Sequence, residues 1–172
     1  ASLLGIDRDA ELPRFAAKTL MKRARKAKRE PNNAAPAFGK RKAALFATCF
    51  VNFNKPETGE AAVAVLNKLG VETTVDYPGC CGMPFLEQAD LGRVAKQART
   101  VAAALRPLID GGYDIVTPTA SCGLMFKFEW PLIVPNDENV KALSKAAFDI
   151  DEYVVDIAKK HGLPEGLKPL EG

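Results

Sequence analysis

The chain has 172 residues, of which 47% are hydrophobic and 26% are charged, and a formal net charge of +3. This length suits one domain with its own core, and the small net charge argues against a nucleic-acid partner. The apolar runs are too short to cross a bilayer, and the amino end lacks the basic and apolar regions of a secretory signal. Because the sequence begins with Ala1, we expect a processed chain or a piece of a longer protein.

A basic stretch with helical spacing opens the chain. The segment LPRFAAKTLMKRARKAKRE predicts a helix that begins near Pro13 and places Phe15, Leu20 and Ala24 on one apolar stripe. Its many cations form either a solvated face or a contact surface for an acidic partner or anionic lipid. The segment EPNNAAPAFGK then breaks the helix, so residues 1–41 are predicted to be a helix and linker that precede the main domain.

From residue 42 the pattern alternates between strand and helix. A short, nearly continuous apolar run predicts a strand at KAALFAT. VETTVDY is predicted to be the second strand, DGGYDIVTP to turn into a third, and LIV to form a further short strand. A helix capped by Thr58 and closed by Gly70 follows the first strand, and a helix over about 88–110 follows the second. A third helix begins at Cys122, with Ser121 as its cap, and stops at Pro131.

Two more helices, near 136–147 and 150–161, complete the predicted elements. The order of strands and helices predicts an α/β fold, with a parallel sheet, helices on both faces and right-handed Rossmann-like βαβ units. We expect the compact domain to span residues 42–163 and the proline- and glycine-rich residues 164–172 to form an exit linker.

The four cysteines of the chain all follow predicted strands. Cys49 comes after the first, the adjacent Cys80 and Cys81 after the second, and Cys122 after the third. The carboxyl ends of parallel strands meet at one edge of a sheet, where open α/β sheets bind their ligands. We therefore expect the four thiols to converge at that edge.

Converging thiols indicate a metal site when no secretory context supports disulfides. Four thiolates together need a cation between them. Zinc accepts four cysteines, but its structural sites usually use C-x2-C knuckles, which are absent here. An iron–sulfur cluster is larger, so neighbouring sulfurs can bind different irons, and the adjacent pair favours it. Zinc and a set of plain buried cysteines remain the alternatives.

These residues resemble the cysteine-rich CCG domain of iron–sulfur oxidoreductase subunits. The similarity runs from ATCFVNFNKPETGEAAVAVLNKLGVE through YPGCCGMPFLEQADLGRVAKQA to IVTPTASCGLMFKFEWP. The chain looks most like the first CCG domain in the CCG-containing subunit of anaerobic glycerol-3-phosphate dehydrogenase. It is also similar to glycolate oxidase and lactate-utilisation iron–sulfur subunits, and more distantly to the CCG-containing subunit of heterodisulfide reductase.

The resemblance implies an electron-transfer domain of an oxidoreductase complex, which passes electrons from a flavin dehydrogenase subunit toward quinone or another acceptor. It implies a cluster held by Cys49, Cys80, Cys81 and Cys122. The fullest family pattern ends C-x-x-C, whereas CGLM has Met125 at the last position. We therefore expect a [4Fe–4S] cluster, not the noncubane type of heterodisulfide reductase, and we expect Met125 in the core.

The resemblance also implies a ferredoxin-like domain and a second CCG domain in the parent chain. It implies a cytoplasmic location, with peripheral contact at the inner face of the membrane as a further expectation. Two other functions stay open at this point: a thiol or disulfide catalytic site like that of heterodisulfide reductase, and a zinc-stabilised scaffold for assembly. The sequence leaves open whether the domain is itself an enzyme.

Four further residues carry smaller predictions. Trp130 is predicted to lie in the core or at a partner contact, and His161 to be an exposed cap at the end of the last helix. Asn52 and Asn54 follow Cys49, and they are predicted either to shape a turn or to donate hydrogen bonds to cluster sulfurs.

Overall fold

A four-stranded sheet organises the computed structural model, which describes residues 13–27 and 30–166. Its strands are β1 (Lys42–Phe46), β2 (Glu72–Asp76), β3 (Asp114–Thr117) and β4 (Ala147–Asp149). They lie in the order β2-β1-β3-β4 and are all parallel, with Leu45 opposite both Val75 and Val116. The predicted α/β class with a parallel sheet is confirmed.

Helices cover both faces of this sheet. They are α1 (Leu20–Ala24), α2 (Cys49–Phe53), α3 (Pro56–Lys68), α4 (Met83–Glu87), α5 (Leu91–Asp110), α6 (Ala120–Leu124), α7 (Trp130–Ile133), α8 (Glu138–Ala146) and α9 (Ile150–His161). A π turn over Met125–Glu129 joins α6 to α7. No helix in the described ranges is long and apolar enough to span a membrane.

Two apolar layers hold the helices to the sheet. On one face, Leu105 of α5 and Leu143 of α8 pack with Ile115 of β3. On the opposite face, Leu66 of α3 and Ile157 of α9 belong to an apolar layer with Leu45 of β1 and Val116 of β3. Leu20 of α1 belongs to the same layer. Each helix buries residues at its helical spacing, so both layers follow from the amphipathic pattern.

The amino edge of the sheet is held by an ionic network around Arg41. Its guanidinium pairs with Asp114 at 3.2 Å and also with Asp156. Tyr153 donates its hydroxyl to Asp114 at 3.0 Å, and Arg41 donates to His161 at 3.3 Å. His161 does end the last helix as predicted, but it is half-buried in this network and is not an exposed cap.

The helix that follows Cys122 differs from its prediction. The residues LIV do not form a strand, because the chain continues helically through Pro131 to Ile133. Pro131 is tolerated since it falls in the first turn of α7, where a missing N–H costs little. Thr119 precedes α6 and Ser121 lies inside it, so the predicted Ser121 cap is wrong. The fourth strand is β4.

The amino-terminal helix is shorter than predicted. Thr19 caps α1 by accepting from the Lys22 N–H at 3.2 Å, so the chain before it is not helical. Leu20 and Ala24 are buried as expected, but Phe15 is 81% exposed and does not join their stripe. Leu20 packs into the same apolar layer as α3.

The predicted domain boundaries at 41 and 163 stay predictions. Most of the proposed exit linker, residues 167–172, lies outside the described residues, as do residues 1–12 of the amino-terminal segment.

Three other helix ends complete the comparison. Thr58 is not a cap, because α3 already begins at Pro56 and Lys55 precedes it. Gly70 follows the end of α3 with φ at +83°, as a closing glycine requires. Asp90 caps α5 by accepting from Arg93 N–H at 3.0 Å.

Candidate metal centre

The structure brings the cysteine loops together at the carboxyl edge of the sheet. Cys49 begins α2 just after β1, Cys80 and Cys81 lie between β2 and α4, and Cys122 lies in the first turn of α6 after β3. Since β2, β1 and β3 are neighbours in the sheet, their three following loops are neighbours too. The topology therefore accounts for a meeting of residues that are up to 73 positions apart.

The four thiols form a row of pairwise contacts. In sequence order along this row, Cys49 and Cys80 each perturb the pKa of the other, as do Cys80 and Cys81. The row ends with the Cys122 thiol, which lies 3.2 Å from the Cys81 sulfur. Cys81 and Cys122 are buried, whereas Cys49 and Cys80 are partly exposed. The site therefore has a deep end and an end that faces solvent.

The pKa of Cys80 is lowered, whereas the pKa values of Cys49 and Cys81 are raised. Hydrogen bonds from Cys49 and then Cys81 lower its pKa far below the ordinary value, and the Gly82 N–H, 3.4 Å from its sulfur, acts in the same direction. The hydrogen bond to Cys80, together with burial, raises the pKa of Cys49. The hydrogen bonds to Cys122 and Cys80 raise the pKa of Cys81 most strongly. A thiolate is the form that binds metals. The lowered pKa of Cys80 therefore favours its metal-binding form, and the raised pKa values of Cys49 and Cys81 favour their protonated forms.

A glycine sets the direction of the chain after the adjacent pair. Gly82 has φ of +82°, in the left-handed region that a residue with a side chain rarely adopts. It also directs its N–H toward the Cys80 sulfur and begins the turn into α4. The CCG order is therefore needed for the turn as well as for the thiols.

Buried aromatic residues form the floor of the site. The Trp130 indole N–H donates to the Cys81 carbonyl at 3.1 Å. The Trp130 ring lies 4.6 Å from Phe126, and Phe126 makes an edge contact with Phe46 at 4.8 Å. Met125 is fully buried in the same cluster, as expected for a core residue. This floor excludes water from the deep end of the thiol row.

A strained threonine links two of the loops. Thr48 is buried and has φ of +42°, a backbone conformation that costs of order 1–3 kcal/mol for a residue with a side chain. Its hydroxyl accepts from the Val51 N–H at 3.2 Å and lies 3.3 Å from the Thr119 hydroxyl. The residue before Cys49 is thus fastened to the loop that leads to Cys122.

Two predicted sulfur donors have other partners. Asn52 accepts from the Met21 N–H at 3.1 Å, and Asn54 donates to the Arg14 carbonyl at 3.0 Å. Both amides fasten the amino-terminal segment to α2. Asn52 lies inside α2 and Asn54 directly after it, so the contacts observed for these residues are anchoring ones, and their predicted role toward cluster sulfurs stays a prediction.

The donor set fits a thiophilic metal centre in its chemistry. As they stand, however, no three or more His, Cys, Asp or Glu side chains in the described ranges are grouped to hold a metal ion. Two sulfurs on one tetrahedral zinc lie roughly 3.8 Å apart, given a Zn–S bond of about 2.3 Å. The 3.2 Å between Cys81 and Cys122 is that of a hydrogen-bonded thiol pair, so any metal requires these side chains to move apart.

Sequence reasoning found the cysteines but missed two supporting residues. The donor role of Trp130 toward Cys81 depends on the π turn, which no local pattern indicates. The strained backbone of Thr48 cannot be predicted from local sequence either. The hydroxyl residue directly before Cys49 was the one sequence feature that pointed to this position.

Comparisons with known proteins agree with the cysteine pattern. Residues 43–127 match the family model described as a cysteine-rich domain, CCG. Lactate utilization protein A of Bacillus pumilus (strain SAFR-032) is 32% identical over 131 residues, which are 72% of this chain and 52% of that protein. The protein of the same name from Geobacillus sp. (strain WCH70) is 31% identical over 125 residues, 69% of this chain and 50% of that protein.

The chain thus spans about half the length of the curated relatives it matches. No solved structure matches it significantly. The resemblance to the CCG domain is confirmed, and lactate-utilisation proteins are among the related families it included. The more detailed resemblance to glycerol-3-phosphate dehydrogenase stays a prediction.

Proposed function

Because residues 43–127 belong to the cysteine-rich CCG domain family, we propose that this chain is an iron–sulfur electron-transfer domain of an oxidoreductase complex. The proposed ligands are Cys49, Cys80, Cys81 and Cys122, and the proposed cofactor is a [4Fe–4S] cluster. The observation that carries this proposal is the meeting of four thiols from three separate loops at one sheet edge.

Such a cluster supplies one-electron chemistry when it is bound. The residues of the chain then orient the ligands, exclude water and provide the path for electrons. Gly82 donates its N–H toward the Cys80 sulfur, and Trp130 fixes the carbonyl of Cys81. The aromatic floor keeps water from the buried end, while Cys49 and Cys80 form the end through which electrons enter or leave.

The partners proposed here rest on the resemblance and on the relatives' names. The electron donor is a flavin dehydrogenase subunit that oxidises a small hydroxylated substrate, such as lactate or glycerol 3-phosphate. The acceptor is quinone or a further domain, and the parent chain carries a ferredoxin-like domain and a second CCG domain. A cytoplasmic place with peripheral contact at the inner membrane face belongs to the same proposal.

A second candidate is a thiol or disulfide catalytic site like that of heterodisulfide reductase. The partial exposure of Cys49 and Cys80 favours it, since substrate sulfur has to reach the site from solvent. Zinc remains the alternative metal, in a scaffold that serves subunit assembly.

Metal and sulfide analysis tests these candidates. The protein is purified and reconstituted without oxygen, together with Cys→Ser variants at the four positions and Ser121→Ala as the matched control. We expect about four irons and four acid-labile sulfides per chain in the wild type and in the control, with loss of most of both in each cysteine variant. Stoichiometric zinc without sulfide would refute the electron-transfer function in favour of the scaffold. A thiol-disulfide activity that depends on the reconstituted cluster would favour the catalytic site.

A further inference from the structure

A surface of cations and phenylalanines lies beside the helix that begins with Cys49. We propose that this surface, called the basic aromatic face, docks an acidic protein that exchanges electrons with the cysteine site. It consists of Arg14, Phe15, Lys18, Lys22, Arg25, Lys26, Phe50 and Phe53. The inference rests on the proposed function and adds the contact surface and the chemical class of the partner.

The face is firmly attached to α2. The Ala16 N–H donates to the Phe53 carbonyl at 2.7 Å, in addition to the two asparagine bonds to this segment. Leu20 is 1% exposed and is packed beneath it, against the helix that contains Gly59. The cations are thus held in a defined place relative to Cys49.

The phenylalanines give the face an apolar centre. Phe15 is 81% exposed, Phe50 is 45% exposed and Phe53 is 37% exposed. Phe50 and Phe53 are three residues apart on α2, so they share one side of that helix. Aromatic residues surrounded by polar ones are the usual composition of protein–protein contact surfaces.

The charge of the face is positive. A hollow in the face is lined by Ala17, Lys18, Lys22, Arg23, Arg25 and Lys26. Of these, Arg23 pairs with Glu60 at 3.0 Å. Among the described residues, no ion pair involves Lys18, Lys22, Arg25 or Lys26. A surface of this kind attracts an acidic partner and orients it during encounter.

The position of the face favours a protein over a lipid surface. It adjoins Cys49, which lies at the partly exposed end of the thiol row, where an electron partner has to approach.

Reduced flavodoxin, an acidic flavin protein, serves as the probe. It passes one electron per encounter to the reconstituted domain, and the second-order rate constant is measured by stopped flow at several salt concentrations. The test variant is Lys22→Glu/Lys26→Glu, and the matched control is Lys96→Glu/Lys145→Glu on the helices of the opposite sheet face. Phe15→Ala tests the apolar centre without a change of charge.

We expect the wild-type rate constant to fall steeply with salt and to drop at least tenfold in the test variant at low salt. The rate constant of the control variant should stay within twofold of the wild-type value, and that of Phe15→Ala should fall several-fold. A salt-independent rate, or an equal loss in the control, would overturn the inference. Binding of wild type, but not of the test variant, to vesicles with 30% phosphatidylglycerol would overturn it in favour of lipid.

Failure of the proposed function can be told apart from failure of this inference. Iron and sulfide are counted before the kinetic measurement, and their absence refutes the cluster alone. Binding of oxidised flavodoxin, measured by calorimetry, needs no cluster. It should weaken in the test variant by the same factor as the rate, and unchanged binding would overturn the docking assignment.

Discussion

Replacement of Trp130 by phenylalanine tests how the CCG turn is held. The indole N–H and the Cys81 carbonyl lie 3.1 Å apart, in the buried floor of the site. Phenylalanine keeps an aromatic ring beside Phe126 but donates no hydrogen bond, so the carbonyl is left without its partner. An unpaired buried acceptor costs about 1–3 kcal/mol, and the smaller ring adds a packing loss. We expect the free energy of unfolding to fall by about 2–4 kcal/mol.

The measurement is urea unfolding of the apo protein, followed by circular dichroism because Trp130 is the only tryptophan. Phe126→Leu is the control, since it removes aromatic volume from the same core without freeing a polar group. We expect Trp130→Phe to cost about 1–3 kcal/mol more than the control and to retain less iron after reconstitution. Equal unfolding free energies and equal iron contents would refute the role given to this hydrogen bond.

Three further predictions concern the buried core, the contact between α1 and α3, and the amino edge of the sheet. Met125→Ala should lower the free energy of unfolding, measured by calorimetry, by about 2–5 kcal/mol because it leaves a cavity in the core. The iron content per folded chain should stay unchanged, and its loss would identify Met125 as a ligand. Gly59→Ala should cost about 1–3 kcal/mol because its Cβ would collide with Leu20, and Gly92→Ala, on an open helix surface, should not destabilise. Burial, and then the Asp114 charge, raises the pKa of Tyr153, so the unfolded chain loses this proton first as pH rises. Above about pH 10 the wild type should therefore lose up to about 1.4 kcal/mol per pH unit more than Tyr153→Phe, and parallel pH profiles would contradict this.

The sequence predicts the sheet and its cysteine edge well for a physical reason. Strands buried on both faces appear as continuous apolar runs, which is why β1 and β3 are recognisable, whereas the edge strand β2 is recognisable from its β-branched residues and alternating burial. Once three parallel strands are placed, the convergence of Cys49, Cys80 and Cys122 follows from chain direction alone. The sequence does not predict β4, because this strand has three residues of which only Ala147 is buried, and so it shows no recognisable strand pattern.

The missed features of the site depend on contacts between distant residues. Pro131 normally ends a helix, but here it follows the π turn and falls in the first turn of α7, where it is tolerated. Phe15 fits a helical stripe with Leu20, but hydrogen bonds to α2 draw its segment out of helical conformation. The strain at Thr48 is stabilised by partners on other loops. None of these effects is visible in a local window of sequence.

The π turn has a consequence for changes of chain length. A π turn contains one more residue than an α-helical turn, and each residue rotates a helix by about 100° and advances it by about 1.5 Å. The π turn absorbs its additional residue locally, so deleting one residue from Met125–Glu129 would restore regular winding and keep the indole on the same side of the helix. A further inserted residue would instead rotate the indole away, and the Cys81 carbonyl would lose its donor. In related chains, this short stretch should accept exchanges at exposed positions such as Phe128, or a gap of one residue, more readily than an insertion.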